Sequence, residues 1–124
     1  MQQPVKMLIV EDEALTAMRL NLELSLHGYA NCQIVATGEE ALTIVDQQHP
    51  DIVLMDISLA GDLDGIETAR HIKSHKDIPI IFMTGYTDPE VQTRAQALHP
   101  AAYFVKPVNM TDLTTAINSA LRKS

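Results

Sequence analysis

Ile52-Val53-Leu54-Met55-Asp56 is a run of four large apolar residues that stops abruptly on a carboxylate. A run this short, with no alternating polar positions, suits a strand buried on both faces, as in a parallel sheet covered by helices. Other runs repeat the pattern. Met7-Leu8-Ile9-Val10 stops at Glu11-Asp12, residues 78–83 stop at Thr84, and residues 101–105 stop at Lys106-Pro107. A weaker run at 32–36 lies between the first two.

Between these runs the pattern turns helical. Over residues 13–27 the apolar positions Leu15, Met18, Leu22 and Leu26 follow a helix period, with Leu20 and Leu24 alongside. Gly28 then stands where a helix-terminating glycine belongs. Residues 38–48, 66–74, 88–98 and 111–121 read the same way, and Asp88-Pro89-Glu90 has the form of an N-cap followed by a first-turn proline. His99-Pro100 ends the fourth helix. Strand and helix therefore alternate five times, which predicts an α/β fold with a parallel sheet and helices on both faces.

Composition narrows the function. The chain has 124 residues, enough for one domain with its own core, and the expectation is a single domain over 1–124 without an output module. Sixteen Asp+Glu against nine Lys+Arg give a net charge of -7, and no basic block is present, which disfavours direct binding to nucleic acid or an anionic membrane. Cys32 stands alone, so neither an internal disulfide nor a multi-cysteine zinc cage is available, and its reading is a small core or edge residue. The apolar run near the N-terminus ends at Val10, far short of a membrane span, and a cytoplasmic location is expected.

In an open parallel sheet, ligands bind beyond the carboxyl ends of the strands. Those ends carry Glu11, Asp12, Asp56, Thr84 and Lys106. Three crowded carboxylates require a cation or raised pKa values. An all-oxygen donor set without His or Cys favours a hard ion such as Mg²⁺. A lysine and a threonine hydroxyl can hold phosphoryl oxygens while a carboxylate serves as nucleophile, so the set suits phosphoryl transfer.

These residues, Glu11-Asp12, Asp56, Thr84 and Lys106-Pro107, together with the 44-residue interval from Asp12 to Asp56 and the 22-residue interval from Thr84 to Lys106, resemble the receiver domain of two-component response regulators along essentially the whole chain. The resemblance implies a flavodoxin-like, doubly wound five-stranded sheet of order 2-1-3-4-5. It implies that Asp56 accepts a phosphoryl group from a phosphohistidine on a sensor histidine kinase, making the chain a phosphoprotein that catalyses only its own phosphorylation and dephosphorylation. Asp12, Asp56 and the Ser58 carbonyl would hold Mg²⁺, with Glu11 acting partly through water. Lys106 would hold Asp56 and later a phosphoryl oxygen, across a cis Lys106-Pro107 peptide. Thr84 and Tyr103 would be the switch, although Tyr103 also has a plain packing reading. The fourth helix, fifth strand and fifth helix would signal to a downstream protein, as a monomer or a phosphorylation-dependent dimer. A charged dimer network is not evident there, since Gln92, Gln96, Thr114 and Asn118 are uncharged.

The chain departs from the family pattern at Ala60, where a proline is usual, and in a 58–65 loop about one residue longer than the commonest version. Ser58 and Tyr86 occupy positions that tune dephosphorylation in the family, and a bulky Tyr86 is expected to shield the acyl phosphate from water. Two alternatives stay open beside the switch reading. A relay carrier would pass phosphate from Asp56 to a histidine phosphotransfer protein. An aspartyl-phosphate phosphatase would place a second Asp two residues after the nucleophile, where this chain has Ser58. His71 and His75, four apart on one helix, read as a solvated face.

Overall fold

The computed structural model describes residues 4–59, 61–85 and 88–123. Its elements run β1 (Met7–Val10), α1 (Ala14–Leu26), β2 (Cys32–Val35), α2 (Gly38–Gln48), β3 (Ile52–Asp56), α3 (Gly65–His75), β4 (Ile80–Thr84), α4 (Pro89–Gln96), β5 (Ala102–Val105) and α5 (Met110–Lys123). The five strands form one parallel sheet of order β2-β1-β3-β4-β5, so the order expected from the resemblance is the observed one. Every residue of β1, β3 and β4 is buried, which is why those segments read as unbroken apolar runs.

Side-chain alternation splits the core in two. Leu8, Val10, Val53, Met55, Ile80 and Phe82 face α2, α3 and α4, where they meet Ala41, Val45, Ile66, Ala69, Ile72 and Ala95. Met7, Ile9, Ile52, Leu54, Ile81 and Met83 face α1 and α5, where they meet Ala17, Leu24, Leu113, Ile117 and Ala120. The strand order reverses between β1 and β3, and Glu11 and Asp56 stand at that point.

Local signals set the helix ends. Thr37 accepts the Glu40 N–H at 3.1 Å, Asp64 accepts that of Glu67 at 2.8 Å, and Asp88 accepts that of Glu90 at 2.8 Å. Past α1, Gly28 adopts φ +94°, its N–H donates to the Ser25 carbonyl at 3.1 Å, and the Tyr29 N–H donates to Leu24 at 2.9 Å. This is the paired closure that favours glycine at a helix end.

The structure shows which face of α1 is buried. The period of Leu15, Met18, Leu22 and Leu26 marks the helix but not its buried face, because all four are exposed while Ala17 and Leu24 are buried. A helix this rich in leucine offers two apolar faces, and the sheet accepts only the narrower one. No helix among the described residues is long and apolar enough to cross a membrane.

Candidate phosphoryl-transfer site

Strand register brings the site together. Val10 pairs with Met55, and Asp56 pairs with Met83, so Glu11, Asp56 and Thr84 leave the sheet within a residue of one another. Thr84 pairs with Val105, and its carbonyl accepts the Lys106 N–H at 2.7 Å, which adds Lys106 to the same edge. Alternation then assigns sides. Glu11, Asp56 and Lys106 follow Ile9, Leu54 and Phe104, residues of the α1/α5 face, whereas Thr84 follows Phe82 of the opposite face.

Glu11, Asp12 and Asp56 each offer a carboxylate oxygen, all within 4.8 Å of one another. Glu11 and Asp56 are buried, and Asp12 is exposed. Lys106 Nζ donates to Glu11 Oε1 at 2.6 Å and to Asp56 Oδ2 at 3.3 Å, so this cation serves two buried carboxylates and lies nearer Glu11. The Ser58 N–H donates to Asp56 Oδ1 at 3.1 Å, and the Glu13 N–H donates to Glu11 Oε2 at 3.2 Å. Such backbone donors fix the carboxylates without adding a formal charge.

The electrostatics follow from this crowding. Burial holds the Glu11 carboxyl above its ordinary range; the Lys106 hydrogen bond opposes that shift and neighbouring Asp56 adds to it. Burial alone would lower the Lys106 pKa, but the Glu11 hydrogen bond and the Asp56 and Glu11 charges outweigh it and hold the ammonium above its usual value. A set of three carboxylates, with no nitrogen or sulfur donor among them, fits a hard divalent ion that keeps several waters.

Thr84 is fully buried. Tyr103 meets Phe82 edge to face at a centroid distance of 6.5 Å, and its hydroxyl oxygen is buried with no hydrogen-bond partner among the described residues. Burial, followed by the Asp88 charge, raises its pKa. Thr84 and Tyr103 thus lie toward the α4 side, across the sheet edge from the Glu11–Asp56–Lys106 cluster. The Lys106–Pro107 peptide is cis. Ser58 is exposed at the start of the loop, and Tyr86 and Ala60 lie outside the described residues.

One contributor escaped the sequence reading. A Cβ on Gly65 would land on the Asp56 carbonyl oxygen and within 2.7 Å of the Ile57 Cα, so a side chain there is excluded by the backbone that carries the carboxylate. The Gly65 N–H donates to the Ile57 carbonyl at 2.8 Å, clamping the start of α3 onto the end of β3. In sequence Gly65 is one glycine at the end of a polar loop, and nothing local separates close approach from turn chemistry.

The comparisons with known proteins agree with this geometry. The chain is 35% identical over 120 residues to the "Transcriptional regulatory protein PdtaR" of Mycobacterium tuberculosis, covering 97% of this chain and 58% of that protein. It is 32% identical to "Sporulation initiation phosphotransferase F" of Bacillus subtilis, covering 94% of this chain and 93% of that one. The signal receiver domain of a modulated diguanylate cyclase from Desulfovibrio desulfuricans superimposes with a TM-score of 0.90 at 39% identity, covering 98% of this chain and 96% of that one. The chain spans only 58% and 50% of several of the relatives that it matches. The model of the response regulator receiver domain matches residues 7–118, which include the whole sheet and all the strand-end residues, and the chain belongs to that family.

Proposed function

We propose that this chain is a phosphorylation-activated signalling switch in which Asp56 accepts a phosphoryl group from the phosphohistidine of a sensor histidine kinase. Phosphorylation-dependent switching is general for the family. The observation that carries the reading for this chain is the convergence of Glu11, Asp12 and Asp56 within 4.8 Å, with Lys106 reaching the cluster.

In this reading an Asp56 oxygen attacks phosphorus, the O–P bond forms as the P–N bond breaks, and the electron pair returns to the imidazole. Asp12, Asp56 and the Ser58 carbonyl would hold Mg²⁺, with Glu11 acting partly through water; when bound, the ion would neutralise charge on the phosphoryl oxygens. Lys106 moves its hydrogen bond from carboxylate to phosphoryl oxygen, and Thr84 turns its hydroxyl toward the new acceptors. Tyr103 fills the space that Thr84 leaves, and the change is carried by α4, β5 and α5 to a downstream protein. If these contacts favour the active arrangement by about 2–3 kcal/mol, the equilibrium moves roughly thirty- to a hundred-fold. The chain catalyses only its own phosphorylation and dephosphorylation. A relay role has one specific support, the likeness to "Sporulation initiation phosphotransferase F" over 93% of that protein.

Intact mass after incubation with acetyl phosphate and Mg²⁺ tests the reading. Gain of one phosphoryl group is expected, and it should disappear in Asp56→Asn and with a chelator. Failure to form both the phosphorylated chain and a metal-dependent beryllofluoride complex would sink it. Onward transfer to a histidine phosphotransfer protein would favour the relay.

A further inference from the structure

Helix α3 carries His71 and His75 one turn apart, and both are exposed. Residues four apart on a helix stand on one face, with their Cβ atoms about 6 Å from each other. That spacing alone fits a solvated face as well as a pair of ligands. The hydrogen bonding of Ser74 separates the two readings.

The Ser74 hydroxyl donates its one proton to the His71 carbonyl at 2.7 Å. Its oxygen also lies 2.7 Å from His75 Nδ1, and that nitrogen is 3.2 Å from the same carbonyl. With the hydroxyl proton committed, only an Nδ1–H satisfies both contacts, so the neutral His75 ring keeps its lone pair on Nε2. The carbonyl belongs to the residue one turn earlier, so the ring lies back toward His71. A metal-ligating histidine is oriented in this way, with one ring nitrogen donating to a fixed acceptor while the other faces the ion. No hydrogen bond or ion pair engages the His71 ring among the described residues. The pair borders an open groove of about 430 Å³ between α2 and α3, which leaves room for an ion and its waters. Across it, Asp46 on α2 favours a cation, and Lys76 after α3 opposes one.

We propose that His71 and His75 bind a divalent transition-metal ion of the Cu²⁺, Ni²⁺ and Zn²⁺ class. Among the described residues no third His, Cys or carboxylate stands close enough to the pair to complete a protein cage, so water fills the remaining positions and the ion exchanges. Imidazole suits these ions, whereas the carboxylates at the strand ends suit a hard one, so donor type sorts metals between two places. The places are well separated. Helix α3 starts at Gly65 against the Asp56 backbone, and His71 and His75 follow about 9 Å and about 15 Å along its axis. The unfolded chain does not hold the two rings at helix spacing, so binding stabilises the folded form.

Two measurements on the full chain, both with Mg²⁺ in excess, test the proposal. Pulsed electron paramagnetic resonance of added Cu²⁺ reads the remote ring nitrogen of each bound imidazole, and modulation from two rings is expected. Calorimetric titration with Ni²⁺ gives the affinity. His71→Ala and His75→Ala, changes at exposed positions, should each lower it at least about tenfold and leave one ring in the Cu²⁺ spectrum, because the chelate is lost. His27 is the control. Its Nδ1 lies 2.9 Å from the Glu23 carbonyl one turn earlier, but position 23 holds no second histidine. His27→Ala should leave both readouts unchanged. Ni²⁺ should also raise the thermal midpoint of the parent and of His27→Ala, but not that of the two α3 variants. A Cu²⁺ spectrum without paired imidazoles overturns the proposal, and so does a Ni²⁺ affinity indifferent to His71→Ala and His75→Ala.

Discussion

Replacing Lys106 by methionine keeps most of the side-chain stem and deletes the charge that two buried carboxylates share. The Glu11 and Asp56 side chains are 3% and 7% exposed, and the ammonium lies 2.6 and 3.3 Å from them. At an effective dielectric near 20 those separations correspond to gross attractions of about 6 and about 5 kcal/mol, most of which offsets the desolvation of the three groups. Removing one partner leaves the others unpaired, which costs about 3–5 kcal/mol for a fully buried pair. Lys106 is 28% exposed, so the expected loss in Lys106→Met is somewhat smaller, about 2–4 kcal/mol. Urea unfolding in the presence of a chelator reads this directly.

Two further features of the same variant follow. Adding Mg²⁺ should close part of the gap, because the ion supplies the missing positive charge and binds only the folded cluster. Acidification should close it as well. Glu11 is held above its ordinary 4.5 chiefly by burial, with Asp56 adding to the shift and Lys106 opposing it. A raised carboxyl pKa favours folding below the ordinary value, and that contribution is lost as pH rises through the folded one. Deleting Lys106 raises the Glu11 pKa further, so the deficit of the variant is greatest near neutrality and shrinks toward pH 4.5. In the parent, the contribution of Lys106 is complete below its ordinary 10.5 and is lost as pH rises through its raised value. A Lys106→Met chain as stable as the parent, or a deficit indifferent to both Mg²⁺ and pH, would refute the shared-cation argument.

Gly65→Ala forces the backbone of Asp56 and Ile57 to move, and a loss of about 1–3 kcal/mol in urea unfolding is expected together with slower phosphorylation by acetyl phosphate. Normal values for both would show that α3 does not clamp β3. Tyr103→Phe removes a buried hydroxyl that has no partner among the described residues, so stability should be unchanged or higher by up to about 1 kcal/mol. The difference in ultraviolet phenolate absorbance between parent and variant should titrate above pH 10, because the raised Tyr103 pKa keeps the folded form protonated longer; titration below 10 would contradict the buried placement. Leu54→Ala, in the central strand, should cost about 2–5 kcal/mol, whereas Leu22→Ala should stay within about 0.5 kcal/mol. Equal costs would mean that α1 presents its other face to the sheet.

Much of the fold is carried by short-range pattern. β1, β3 and β4 are buried on both faces, so their residues have no reason to alternate, and the unbroken runs identify a parallel sheet directly. Thr37, Asp64 and Asp88 start helices through bonds two or three residues away, and Gly28 closes α1 through a turn of its own chain. The strand-end residues are legible for the same reason: a carboxylate, hydroxyl or ammonium that breaks an apolar run marks where the chain leaves the sheet.

Other properties depend on residues far apart in sequence, and only the tertiary structure decided them. Ninety-five residues separate Glu11 from Lys106, and the closer approach of the ammonium to Glu11 than to Asp56 comes from the register of four strands. The requirement for glycine at position 65 arises because α3 begins against the β3 backbone. Which face of α1 is buried was decided by packing on the side of the sheet that α1 shares with α5, where Ala17 and Leu24 join the core while Leu15, Met18, Leu22 and Leu26 stay exposed. Sequence by itself determined the elements, their parallel order of use and the chemistry at the strand ends, because each is encoded within a few residues. Packing determined which of those groups share a charge and which apolar face was left to meet solvent, because those outcomes depend on the distances between elements.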